Sequence, residues 1–394
     1  MKQRRSKPQL TVISNSEVQT FRDCGQKWSF AYVERLRPKT VAPPLSFGSA
    51  IHAGLAAGYL AIAAARMRAS EAALPEVLDA AEGATRRYRE AWEPSSEQSE
   101  EEGAKAFETA LWMIRHYWQT HERDLRTLVP LGVEVPFQTP LIDSMGRRIA
   151  HLQLAGVIDL IAYDTEAQDL VVVDHKTTSA EVSTIDRRVE MDPQMAGYLW
   201  AVREYIRQGR ILSLLSVPPS LRDLGARIER GEVPTGRIAY NVLRKRAPRT
   251  PEITQRGMVS VSAIDTLPSI YARALEQQEE RGYQRTEAQA DLLARLIAKG
   301  DTFLSRREFY RSDAELDRWR REAFLDGSRM REARLDGGLV TRNPGNCTSA
   351  WSMPCVYRSV CLDPSAPELR ESFRVAVETH EEITAAMTAP EPPF

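Results

Sequence analysis

At 394 residues the chain is long enough to bury one large core or two smaller ones. Its 53 Lys and Arg are balanced by 54 Asp and Glu, a formal net charge of −1, so it is not a polycation that would hold nucleic acid by overall charge alone. The most apolar helical stretch, Ala53 to Ala65, falls short of the roughly 18–20 residues that span a bilayer. No membrane segment is therefore expected, and the cytoplasm is the expected setting.

In chain order, residues 1–12 form a basic arm (Lys2, Arg4, Arg5, Lys7) expected to be disordered. Ser14 and Glu17 have the spacing of a capping box, opening a predicted helix to about Val33 that carries Cys24. After a proline-rich loop (Pro38, Pro43, Pro44), two or three long helices are predicted over about 47–125, broken near 93–96, with an acidic linker at 97–102. Strands follow between Leu131 and Lys176, with Glu134 on the first of them expected to support the site. Then come a helix over about 188–207, a strand over 236–243, and long helices over about 263–299 and 312–336. Three cysteines and a short helix near 365–386 end the ordered chain, and 388–394 reads as a disordered tail. This amounts to a single α/β domain over 13–387. It has a central mixed sheet flanked by helices, a helical insertion at about 53–125, a catalytic core at about 131–208 and a helical, cysteine-bearing region at about 263–362.

The chemistry concentrates in two predicted strands, Gly156 to Tyr163 and Leu170 to Lys176. Side chains alternate along a strand, so Asp174 and Lys176 share a face, and the turn 164–169 is centred to place Asp159 opposite Asp174 in an antiparallel hairpin. Opposed carboxylates repel. Setting two of them in an apolar ribbon at an exposed strand end, with a lysine two residues on, points to a divalent cation. Oxygen ligands select Mg2+ or Mn2+, and such a centre suits phosphodiester hydrolysis. An isolated Asp-x-Lys at a solvated sheet edge is the bland alternative, but Val171, Val172 and Val173 have the look of a strand buried on both faces.

Gly156-x-x-Asp159, followed by a strand ending Asp174-x-Lys176, resembles the PD-(D/E)xK nuclease superfamily in its RecB-like branch, with Ile158 where the proline of the name would stand. Two further motifs resemble that branch: Phe47-Gly48-Ser49-Ala50-Ile51-His52, and Gln194-x-x-x-Tyr198, whose spacing puts both side chains on one helix face. The resemblance implies a restriction-endonuclease-like core. It implies that His52, Asp159, Asp174 and the carbonyl of His175 ligate the metal, that Lys176 positions water or stabilises charge, and that Gln194 and Tyr198 orient the substrate.

Cys24, Cys347, Cys355 and Cys361 sit beside Pro, Asn, Asp and Gly rather than among apolar residues. Four thiolates can hold an iron–sulfur cluster or a structural Zn2+, and with no secretory signal the thiols are expected to stay reduced. One N-terminal cysteine plus a C-terminal trio ending C-x5-C is similar to the iron–sulfur RecB-like nucleases, including the AddB nuclease domain, the CRISPR adaptation nucleases and phage-type exonucleases. That similarity implies a [4Fe–4S] cluster closing the fold, although Cys347 and Cys355 stand seven residues apart and their loop must fold back. Zinc sites usually pair cysteines in short knuckles, and none is present. Basic stretches at 243–249, 305–311 and 318–321 are each as readily solvated faces as DNA contacts. The expected activity is a metal-dependent DNA exonuclease acting on ends or single strands in recombination, repair or phage DNA metabolism. No helicase P-loop is present, so unwinding would need a helicase or recombination partner. The alternatives are a non-catalytic iron–sulfur DNA-binding subunit with a vestigial site, or a structure-specific endonuclease.

Overall fold

The computed structural model describes residues 10–39, 43–90, 100–262, 264–337, 340–348 and 354–388. Most of the expected basic arm, positions 97–99 of the acidic linker and residues 389–394 of the expected tail lie outside the described residues.

The chain opens with β1 (Thr11–Ile13), α1 (Asn15–Asp23) and the single-turn α2 (Gly25–Trp28). Cys24 breaks the predicted helix: it adopts extended backbone between α1 and α2, and residues 29–33 continue as a π-helix. Ser14 does accept from the Glu17 N–H, at 3.1 Å. The Glu17 carboxylate does not complete the box. It is fully buried and instead meets the Trp28 indole N–H at 2.7 Å, Arg334, and His380 at 3.0 Å.

After β2 (Leu36–Pro38) come α3 (Pro43–Met67), α4 (Leu74–Glu90), α5 (Glu100–Thr120) and the short α6 (Asp124–Thr127). α3 is longer than the expected apolar stretch. Its Phe47–Met67 portion is long and apolar enough to cross a membrane by length and composition. In the fold it buries Ile51, Leu55, Tyr59 and Ile62 against the sheet and neighbouring helices. Small residues allow that approach: a Cβ at Gly58 would lie 2.3 Å from the Trp118 ring of α5.

The sheet is built from β1, β3 (Leu128–Ile142), β4 (Arg148–Asp164), β5 (Asp169–Thr178), β6 (Thr235–Arg244) and β7 (Leu304–Tyr310), in the order β1-β4-β5-β6-β7 with β3 pairing β4. β1 runs parallel to β4 and β5 parallel to β6, while the other pairings are antiparallel. The expected mixed α/β architecture is therefore present. Leu170 to Val173 are all buried, as a strand covered on both faces must be. Val171 and Val173 meet α3 and α5, while Leu170 and Val172 face the core shared with α8 (Pro193–Arg207) and α12 (Asp313–Leu335).

Between these elements lie α7 (Val182–Val189), α9 (Arg222–Glu229), α10 (Pro268–Glu280) and α11 (Glu287–Lys299). The helix predicted over about 263–299 is therefore two, separated at Gly282, whose φ of 88° suits glycine. They carry a small core of their own around Tyr271, Leu275 and Leu296. After α13 (Arg358–Leu362), β8 (Phe373–Val375) pairs with β2, and α14 (Glu381–Thr388) ends the described chain. Neither β2 nor β8 was predicted from the sequence. Three-residue strands carry too little periodicity to read, and their pairing joins residues more than 330 positions apart.

The basic stretches are split between faces: Arg246, Arg249, Arg307, Arg318 and Arg321 are exposed, while others turn inward. Most of the 305–311 run lies in β7, where Arg306 is nearly buried and paired with Asp124 at 2.8 Å. Trp319 is a core residue, and Arg320 and Arg321 both pair with Asp317. Arg244 is buried against Asp265 at 2.9 Å.

Candidate active site

The site lies where β4 and β5 part company. Their paired register ends at Leu160↔Val173, and one step further sets Asp159 opposite Asp174. β5 runs on past that point paired on its other edge with β6, Asp174 opposite Tyr240. The released carboxylate is held from the strand it has left: Asp159 Oδ2 accepts the His175 backbone N–H at 2.8 Å.

On the other flank of β4, the pairs Val133↔Leu160 and Val135↔Ile158 place Glu134 opposite Asp159. Glu134 has φ +49°, a left-handed conformation that a non-glycine residue adopts at a cost of about 1–3 kcal/mol. From α3, His52 brings Nδ1 to 3.5 Å from Asp159 Oδ2. Ligand atoms of His52, Glu134 and Asp159 all lie within 4.8 Å of one another, and among the described residues no other group of three His, Cys, Asp or Glu is so gathered.

Asp174 stands beside this group and is fully buried, not at an exposed strand end as the sequence reading has it. Lys176 reaches back along the same face, its Nζ 3.0 Å from Oδ2 and 3.2 Å from Oδ1. Oδ2 accepts no directed hydrogen bond beyond that ion-pair contact. Gln194 approaches Oδ1 at 3.5 Å and donates to the Tyr198 hydroxyl at 2.6 Å. His52, Asp159, Asp174, Lys176, Gln194 and Tyr198 thus come together. The His175 imidazole does not join them: it turns to the opposite face of the sheet, beside Tyr59 and Tyr117.

Electrostatics mark the cluster as short of positive charge. Loss of water, then the Asp159 and Asp174 charges, push the Glu134 carboxyl up to about 8. Burial pushes Asp174 up to about 7, with Asp159 and Asp192 adding to the rise and Lys176 opposing it. Burial works against the Lys176 ammonium, but Asp174, Asp159 and Asp192 outweigh it and hold its pKa above the usual lysine value. Burial and the same carboxylates raise Tyr198 well above an ordinary phenol. Converging carboxylates that raise one another's pKa, with an imidazole beside them and one carboxylate oxygen lacking a hydrogen bond, are a donor set that fits a divalent cation.

Two supporting residues were not singled out from the sequence. Asp192 caps α8 by accepting from the Gln194 N–H at 2.8 Å, and Tyr240 donates to its other oxygen at 3.2 Å. Asp192-Pro193 is a readable helix start, capping aspartate then proline at the first turn, and places the start five residues later than the predicted 188. Tyr240 carries no such signal.

At the far end of the chain the cysteine loop folds back, with Thr348 bridged to Pro354 and the Cys355 N–H donating to the Cys347 carbonyl at 2.8 Å. Asn343 N–H donates to Cys24 Sγ at 3.3 Å. All four cysteines line one cavity of about 250 Å³. No three of their sulfurs lie within 4.8 Å of one another.

Compared with known families, residues 12–362 match the model of the PD-(D/E)XK nuclease superfamily. No curated protein matches the chain.

Proposed function

This chain belongs to the PD-(D/E)XK nuclease superfamily, and on that premise we propose that it is a Mg2+- or Mn2+-dependent DNA exonuclease of the RecB-like kind. The observation that carries the metal centre is the convergence of His52, Glu134 and Asp159 beside the Asp174–Lys176 pair. These residues would hold the cation, with Asp174 and the His175 carbonyl completing its surroundings. A cation there supplies Lewis-acid polarisation of the phosphoryl oxygens and lowers the pKa of water.

The chain's own side chains do the rest. Asp174 anchors the Lys176 ammonium, which keeps about a third of its side-chain surface exposed and so can reach solvent or substrate. From there it can orient the attacking water or donate to a non-bridging phosphate oxygen as charge builds. Gln194 and Tyr198, linked to each other and to Asp174, orient the strand being cut. The intact Asp174–Lys176 pair favours catalysis over a vestigial DNA-binding role.

The cysteines support a [4Fe–4S] cluster closing the two ends of the fold. One cavity brings Cys24 to the C-terminal trio. A single tetrahedral zinc with bonds of about 2.3 Å holds its sulfurs about 3.8 Å apart, closer than any three sulfurs here are gathered. Action at DNA ends in recombination, repair or phage DNA metabolism, with a helicase or recombination partner to unwind duplex, completes the reading.

The test is digestion of end-labelled linear and circular DNA, single- and double-stranded, with Mg2+ or Mn2+. Loss of linear but not circular substrate is expected. Cleavage of circles would make the protein an endonuclease, and no cleavage with either metal would leave a DNA-binding subunit.

A further inference from the structure

Behind the catalytic strand, on the face away from Asp174 and Lys176, lies a buried polar network that the proposed chemistry does not use. Arg306 of β7 grips Asp124 of α6 with two hydrogen bonds, 2.9 and 2.8 Å. Its Nε donates to Asn241 Oδ1 of β6 at 2.8 Å. A guanidinium can only donate, so this bond fixes the Asn241 amide with its NH2 turned the other way. That NH2 donates to the Tyr117 hydroxyl at 3.1 Å and lies 3.2 Å from His175 Nδ1. Nδ1 must therefore accept, which leaves the His175 proton on Nε2. Tyr117 accepts from both Asn241 and Arg306, so its own proton goes to Tyr59, 2.6 Å away.

Such a network is costly to bury. Asn241, Tyr59, Tyr117 and His175 are at most 2 % exposed, and a buried ion pair adds little stability over well-packed apolar residues. Its geometry shows what it can do instead. His52 and Tyr59 are seven residues apart on α3, so they share a helix face two turns apart. The His175 ring stacks on Tyr59 at 5.9 Å and meets the edge of His52 at 6.2 Å. The same residue's backbone N–H holds Asp159. His175 therefore touches two members of the proposed metal cluster, and the network holds His175.

We propose that Asn241, with Arg306, Asp124, Tyr117 and Tyr59 behind it, forms a positioning network that locks the His175 imidazole as a wedge against α3 and so sets His52 in place for the metal. The proposal rests on the reading of His52 as a metal ligand. The residues act through His52 and touch neither substrate nor reacting atoms. Outer groups that orient a ligating histidine are typically worth about 10–100-fold in metal affinity.

The test is calorimetric Mn2+ binding to the full chain, without DNA, for wild type, Asn241→Leu, His52→Ala and the double variant, each checked for cooperative thermal unfolding. Asn241→Leu should bind Mn2+ about 10-fold or more weakly, and the double variant no more weakly than His52→Ala alone, since two changes on one route are not additive. Unchanged affinity in folded Asn241→Leu, or full additivity in the double variant, overturns the proposal and leaves the metal centre standing. If Asn241→Leu does not fold, Tyr59→Phe, which keeps the ring and loses only the hydroxyl, should bind several-fold more weakly; wild-type affinity there overturns the proposal. Failure of wild type itself to bind Mn2+ overturns the metal-site reading and the proposal with it.

Discussion

His175 and Asp159 are joined by a backbone-to-carboxylate hydrogen bond of 2.8 Å at the point where their two strands separate. The β4–β5 hairpin thus keeps its two aspartates together after its ladder has ended, with Glu134 of β3 and His52 of α3 meeting Asp159 there.

Lys176→Ala and Asp174→Asn should each reduce cleavage roughly a thousandfold or more, the several kcal/mol that charge stabilisation at such a centre supplies. Asn keeps the shape of this buried side chain, so the variant should still unfold cooperatively. Near-wild-type turnover by purified, folded Asp174→Asn would remove Asp174 from the chemistry.

His52→Ala and Glu134→Gln should raise the metal concentration needed for half-maximal activity, with partial recovery at high Mn2+. If His52 only packs the start of α3, its variant would instead melt lower with an unchanged metal requirement. Titrating activity against Mn2+ for both variants separates the two outcomes.

Without metal, the site should destabilise the fold as pH rises. Glu134 and Asp174 have folded pKa values of about 8 and about 7, against ordinary values of 4.5 and 3.8. A carboxyl raised on folding binds its proton more tightly folded than unfolded, so its contribution is full below the ordinary value and lost as pH climbs through the raised one. Melting temperature in chelator should therefore fall from about pH 5 to about pH 8.5. Mn2+ should raise it more at the upper end, because ligands must be deprotonated to bind. A larger Mn2+ shift at pH 5 than at pH 8.5 would contradict this.

Protein purified without air should be brown and carry about four irons per chain. Replacing Cys24 by Ala should bleach it and lower its melting temperature, because a link between opposite ends of the chain is lost. The β2–β8 pairing and the Glu17–His380 contact tie the same ends without cysteine, so the variant should still unfold cooperatively. Colourless anaerobic protein with one tightly bound zinc would refute the cluster and leave the nuclease assignment intact.

The sequence by itself determined the hairpin and the placing of its charged residues. Alternation with period two put Asp174 and Lys176 on one face, and the length of the turn set Asp159 opposite Asp174, because both are local consequences of strand geometry. It also determined the four-residue spacing that joins Gln194 to Tyr198, but not the sheet strands β1 and β7. Tertiary structure decided what depends on segments far apart in the chain. It placed Glu134, held at a left-handed φ, opposite Asp159, and made Arg306 the buried partner of Asp124, 182 residues away. It also brought Cys24 to a trio more than 320 positions later. Local propensity acts over a few residues, whereas these contacts form only when the sheet's two faces are covered and its ends are closed.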